Sequence, residues 1–137
     1  MNTAAHLHQA VDLLERHGLH TGDRFVAPDG ALDICAALYL AATGVLPDAF
    51  RTDDEAALTL IKASVPAMAA IRAVYNSLGP TVTMPEHDGP DEVIDRVSHW
   101  ATTALYQHAL PPTRTEVIGR LLRTADTLAQ QASPLAA

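Results

Sequence analysis

The sequence predicts an all-α protein, an irregular bundle of about five helices, and three observations lead to this fold class. Apolar residues recur at the three- and four-residue spacing of a helix face in several long segments. The composition is 48% hydrophobic and rich in Ala and Leu, which favour helices. The nearest approach to a strand, PTVTMP at 80–85, is short and bounded by prolines.

The first predicted helix covers about residues 3–17, with Leu7, Val11 and Leu14 on its apolar face. Gly18 should end it, because glycine accepts the left-handed conformation that closes the last turn. A loop follows over 18–30, ending in the turn-like sequence PDG.

The second predicted helix is ALDICAALYLAATG, residues 31–44, which is apolar on all sides and should therefore be central and buried. Asp33 falls in its first turn, where a carboxylate can accept hydrogen bonds from unpaired backbone N–H groups.

The third predicted helix runs from about residue 53 to 78, with Thr52 as its N-cap and Glu55 reaching back. Pro66 lies within it and cannot donate to the carbonyl four residues earlier. We therefore expect the third helix to be kinked or split at Pro66, between about Ser64 and Met68.

Two more helices follow a linker at 79–90 that is rich in Gly and Pro. One begins near Asp91. The other covers about 114–131 and starts with a second capping box, formed by Thr113 and Glu116. The length of 137 residues suits one helical domain, residues 1–137, with 132–137 as a frayed tail.

Charge and composition limit the partners. A net charge of −7 disfavours nucleic acid, because an acidic protein repels the phosphate backbone. The single cysteine, Cys35, excludes an intramolecular disulfide. Neither a signal peptide nor a membrane span is recognisable, so we expect a cytoplasmic protein with no membrane partner.

Three stretches together resemble a family of small actinobacterial helical proteins of unknown function: RHGLHTGD after the first helix, ALDICAALYLAATG, and HWATT followed by EVIGRLLRTAD. The resemblance covers most of the chain and implies a helical fold. It implies no catalytic residue.

The stretch HGLHTGDRF, residues 17–25, poses the question of a metal site. His17, His20 and Asp23 have ligand-competent atoms, and Asp29, Asp33 or His6 could complete a zinc site. Their spacing matches no established zinc pattern. We therefore expect a helix end and an ordered loop, with no metal and no cofactor.

Other residues are candidates for catalysis or ligand binding. His20, Asp33 and His99 could act as acid and base, whereas Cys35, among Ala and Leu, should be a buried inert thiol. Trp100 either anchors the core or forms the wall of a ligand pocket.

Arginines mark the last predicted helix. Arg120 and Arg123, with Arg114, suit carboxylate or phosphate recognition, although such residues also mark solvated or oligomer-forming faces. No phosphate-binding glycine loop, HExxH, GxSxG or CxxC motif is present.

These features predict a small helical binding or regulatory module, expected to be a homodimer with a small-molecule or protein partner. The alternative is a small tailoring enzyme that acts on a metabolite or peptide through His and carboxylate acid–base chemistry. A cavity lined by His20, Asp33, His99 or Trp100 would favour the enzyme.

Overall fold

The computed structural model describes residues 2–21, 25–78, 89–102 and 110–132. These ranges contain seven helices and no strand: α1 (Thr3–His17), α2 (Ile34–Thr43), α3 (Ala49–Thr52), α4 (Asp54–Ala63), α5 (Val65–Ser77), α6 (Pro90–Thr102) and α7 (Arg114–Ala132). The all-α prediction is confirmed. The predicted number of five was too low, because α3 was not expected and the segment 53–78 contains two helices.

The end of α1 leads directly into the loop beside α2. Gly18 has a positive φ of 90° but an extended ψ of 158°, so the chain leaves the helix extended and not in the predicted left-handed conformation. Leu32 then donates to the Gly18 carbonyl at 2.9 Å, and His20 donates to the Leu32 carbonyl at 2.8 Å. The predicted helix end at HGLH is confirmed, and this part of the loop is tied to the residue before Asp33.

Helix α2 is the buried centre of the molecule, as predicted. Its residues from Ile34 to Tyr39 are all buried, since α2 packs against α1, α5 and α6. Gly44 ends the helix in the left-handed conformation and donates to the Leu40 carbonyl at 2.8 Å. Beside α2, the Phe50 ring packs against Tyr39 and Phe25, with ring centroids 4.8 and 5.7 Å apart.

The predicted cap at Thr52 was wrong by one residue. Thr52 is the last residue of α3, and its hydroxyl donates to the Asp48 carbonyl at 3.1 Å. Asp53 has extended backbone and caps α4, accepting from the Ala56 N–H at 3.1 Å. The short helix α3 therefore uses the threonine that the sequence pattern assigns to the next helix.

The third helix was predicted to be kinked or split at Pro66. The chain does break in the predicted interval, but at Ser64 and not as a kink within one helix. Two separate helices, α4 and α5, meet at Ser64 with an angle of 94° between them. Pro66 lies in the first turn of α5, where a missing N–H removes no helical hydrogen bond. Ser64 caps α5 by accepting from the Ala67 N–H at 3.3 Å.

Helices α6 and α7 complete the bundle. Val93, Ile94, Val97 and Ala101 are the buried residues of α6, and Trp100 is half-buried against the core. Helix α7 packs against α1 and α5, and its capping box of Thr113 and Glu116 is confirmed by reciprocal hydrogen bonds of 3.2 and 3.3 Å. Within the described ranges no single helix could span a membrane, although the bent pair α4–α5 has a suitable length and composition.

Candidate functional site

Asp33 lies at the junction of loop and helix and caps α2. Its Oδ1 accepts from the Cys35 N–H at 2.7 Å, and its backbone N–H donates to the Phe25 carbonyl at 2.8 Å. The prediction that Asp33 accepts a backbone hydrogen bond at a helix start is therefore confirmed.

Ser98 of α6 joins Asp33 to Cys35. Its Oγ lies 3.2 Å from Asp33 Oδ1 and 3.3 Å from Cys35 Sγ. One hydroxyl proton can serve only one acceptor at a time, so Ser98 can donate to the carboxyl while the thiol donates to Ser98. We call these three residues the Asp33 cluster. No sequence pattern indicated Ser98, because its partners lie more than 60 positions earlier in the chain.

Burial raises the pKa of the Asp33 carboxyl from 3.8 to about 6. The hydrogen bonds from the Cys35 N–H, the Ser98 hydroxyl and the Ala36 N–H act in the opposite direction, since they stabilise the carboxylate. The group therefore titrates close to neutral pH while it holds two elements together.

The Cys35 thiol is buried, as predicted. Burial, and next the charge of Asp33, raise its pKa well above the ordinary value. The side chain is fully buried and lies 3.7 Å from the Ile94 carbonyl. A nucleophilic cysteine needs an accessible thiolate, which this environment disfavours.

Among the described residues, the hydrogen-bond partners of the Asp33 carboxyl are Cys35, Ser98 and Ala36, and none of them is a candidate histidine. His20 is half-buried in the loop, and His99 is exposed on α6. His17 is exposed in the last turn of α1. Asp23 lies outside the described residues, and within them no group of three or more His, Cys, Asp or Glu side chains could hold a metal ion.

A cleft of about 420 Å³ lies between α5 and α7. We call it the arginine cleft because two of the predicted ligand-binding residues line it. Its described lining comprises apolar, polar and basic side chains: Ala73, Asn76, Ser77, Arg120, Arg123, Thr124, Thr127, Leu128 and Gln131.

Arg120 is held from two directions. Its Nη1 donates to the Ser77 carbonyl at 2.9 Å, at the end of α5, and its guanidinium carbon lies 5.9 Å from the centre of the Trp100 ring. The structure thus brings Trp100, Arg120 and Arg123 to one region, although Trp100 supports Arg120 and is not among the residues that line the cleft. Trp100 also packs against the core, which agrees with its predicted role as a core anchor.

Arg123 lies on the exposed side of the cleft. One of its guanidinium nitrogens would be 3.3 Å from a Cβ built on Gly119, so the side chain extends back over that glycine. Sequence reasoning missed the polar lining residues. Thr124, Thr127 and Gln131 follow Arg120 at positions 4, 7 and 11, and this helical spacing could have identified them.

Comparison with known proteins places the chain in one family. The model of a family of unknown function, DUF6197, matches residues 1–127. No curated protein and no solved structure matches the chain. The match agrees with the predicted resemblance to a family of unknown function. The actinobacterial source and the motifs quoted for it stay predictions.

Proposed function

Because the chain belongs to DUF6197, a family of unknown function, we propose its function from the geometry. The protein is a small helical binding module, and the arginine cleft between α5 and α7 is its ligand site.

The cleft itself is the observation that supports this proposal. A volume of about 420 Å³ lies within the range of small-molecule pockets, which combine apolar walls with a few placed polar groups. Ala73 and Leu128 supply apolar surface, whereas Asn76, Arg123 and Gln131 supply polar ends.

The test is a screen of small metabolites by protein-observed NMR, with Thr127→Trp as a variant that fills the cleft. Thr59→Trp is the matched control, because each threonine is exposed on a helix and donates to the carbonyl four residues earlier. We expect compounds that shift the amides of Asn76 and Leu128, and we expect Thr127→Trp alone to abolish binding. A screen without such compounds would contradict the proposal.

A second proposal, a tailoring enzyme, is supported by one observation. Asp33 has a pKa of about 6, within the range useful for acid–base catalysis at neutral pH. Its carboxyl is buried, and Oδ1 is already bonded to Cys35 and Ser98. The test is whether the protein converts a bound compound into a product. This second function would be favoured if the Asp33→Asn variant loses the conversion and the control variant Asp12→Asn retains it.

We also propose that the protein is a cytoplasmic homodimer, with neither nucleic acid nor membrane as partner. Exposed apolar side chains give some support to a dimer, namely Val45, Val65, Leu110 and Leu122. The net charge of −7 supports the exclusion of nucleic acid. Light scattering tests the dimer, and a monomer at all accessible concentrations would exclude it. Fractionation of the source cell tests the location.

A further inference from the structure

We infer that the arginine cleft takes an oxyanion, a carboxylate or phosphate group carried on a short apolar chain. This inference rests on the proposed function of the cleft and specifies the chemistry of its ligand.

The charge of the cleft is opposite to that of the protein. The chain carries a net −7, yet the described residues that line the cleft include two arginines and no carboxylate. In the described part of the chain neither Arg120 nor Arg123 forms an ion pair with Asp or Glu. Among the described residues, the cleft therefore presents two cations without a carboxylate beside them.

The hydroxyl groups of the cleft do not compete with the arginines as donors. Thr124 donates to the Arg120 carbonyl at 2.7 Å, and Thr127 donates to the Arg123 carbonyl at 3.0 Å. Ser77 donates to the Val74 carbonyl at 2.6 Å. Since these hydroxyl protons are used within the helices, the remaining side-chain donors among the described lining residues belong to two guanidinium groups and to the amides of Asn76 and Gln131.

Arg120 is positioned before any ligand arrives. The Ser77 carbonyl and the Trp100 ring restrain the guanidinium, so little side-chain entropy is lost when an anion binds. Its Nε is buried without a hydrogen-bond partner in the described residues, which leaves the cation poorly solvated. A negative group nearby would offset that loss of solvation.

Arg123 completes the site from the solvent side. It is exposed and therefore free to close over a ligand that Arg120 already contacts. Two arginines on neighbouring turns suit an oxyanion, because guanidinium groups donate in pairs to carboxylate and phosphate oxygens. Leu128 and Ala73 provide the apolar surface for the rest of the ligand.

The experiment is an amide NMR titration with three probes of the same chain length: hexanoate, hexyl phosphate and hexanol. We expect the two anions to shift the amides of Asn76, Thr124 and Leu128, and hexanol to bind at least about tenfold more weakly. The tighter of the two anions identifies a carboxylate or a phosphate as the preferred group.

Two variants make the result specific to the cleft. Arg123→Gln should weaken the binding of the anions by about tenfold, the effect of one charged hydrogen bond. Arg114→Gln changes the net charge equally on the same helix, outside the cleft, and should leave binding unchanged.

Three outcomes would overturn the inference. Equal affinity for hexanol, an unaltered affinity in Arg123→Gln, or an equal loss in Arg114→Gln would each exclude a specific oxyanion site. Neutral compounds that bind in the cleft would then leave the binding function intact. If no compound of any charge binds there, both proposals fail together.

Discussion

The Asp33 carboxyl has a pKa of about 6 in the folded protein, against 3.8 for the ordinary group. The fold therefore binds this proton more tightly than the unfolded chain does. The resulting stability is fully present at low pH and decreases as the pH rises from about 4 to about 6. The loss over that window is about 3 kcal/mol, and it is complete at neutral pH.

Asp33→Asn should remove this dependence. The amide keeps an oxygen that can accept from the Cys35 N–H but carries no charge that burial would destabilise. We expect the free energy of unfolding to rise by about 2 kcal/mol near pH 7.5 and to change little near pH 4. Urea unfolding of both proteins at the two pH values is the measurement. Parallel losses of stability in both proteins would contradict the pKa assigned to Asp33.

Ser98→Ala should lower the free energy of unfolding, and it should lower it more near pH 7.5 than near pH 4. Near pH 7.5 it removes a donor to an ionised carboxylate and should cost about 2 kcal/mol, whereas near pH 4 the carboxyl is neutral and the cost should be about 1 kcal/mol. The same urea experiment reads both values. Thr102→Ala on the same helix is a control, because its hydroxyl donates to the Ser98 carbonyl and not to Asp33.

At the scale of the element, the junction of α4 and α5 depends on Ser64 more than on Pro66. Pro66→Ala should leave the 94° angle unchanged, because the proline lies in the first turn of α5. We expect a cost below about 1 kcal/mol, from the greater freedom of the unfolded chain. Urea unfolding gives that cost, and a structure of the variant gives the angle. A single straight helix over 54–77 would contradict this account.

Gly119→Ala should stabilise α7 by about 0.5–1 kcal/mol, because alanine favours helix interiors over glycine. The added Cβ would meet only the flexible end of Arg123, at 3.3 Å. Gly44→Ala is the contrasting variant. Its φ of 81° is unfavourable for alanine, so it should lower the melting temperature although nothing lies within 4 Å of the added atom.

Patterns within one element were predictable from the sequence, and contacts between elements were not. The apolar face of α1, the buried α2 and the cap at Asp33 follow from spacing and local hydrogen bonding, which act over a few residues. The pairing of Asp33 with Ser98 depends on how α2 packs on α6, and no local pattern encodes that. The sequence predicted one third helix, kinked or split at Pro66, whereas two helices meet at Ser64, because a proline at a helix start and a proline in a helix interior look alike in sequence.

At the scale of the whole molecule, Cys35 reports on global opening. Its side chain is fully buried between α2 and α6, so reaction with a thiol reagent requires the core to separate. We expect no measurable reaction with Ellman's reagent in the native state on the timescale of minutes, and complete reaction in concentrated guanidinium chloride. A fast native reaction would show that this part of the core opens locally.

Arg120 serves two elements at once, since it belongs to α7, lines the arginine cleft and donates to the last carbonyl of α5. Any molecule that enters the cleft must therefore either retain this hydrogen bond or compete for it. A ligand that retains the hydrogen bond slows the exchange of amide hydrogens at the end of α5 with solvent. A ligand that competes for the hydrogen bond accelerates this exchange. Exchange at Asn76, Ser77 and Leu78 then distinguishes two classes of ligand before any of them has been identified chemically.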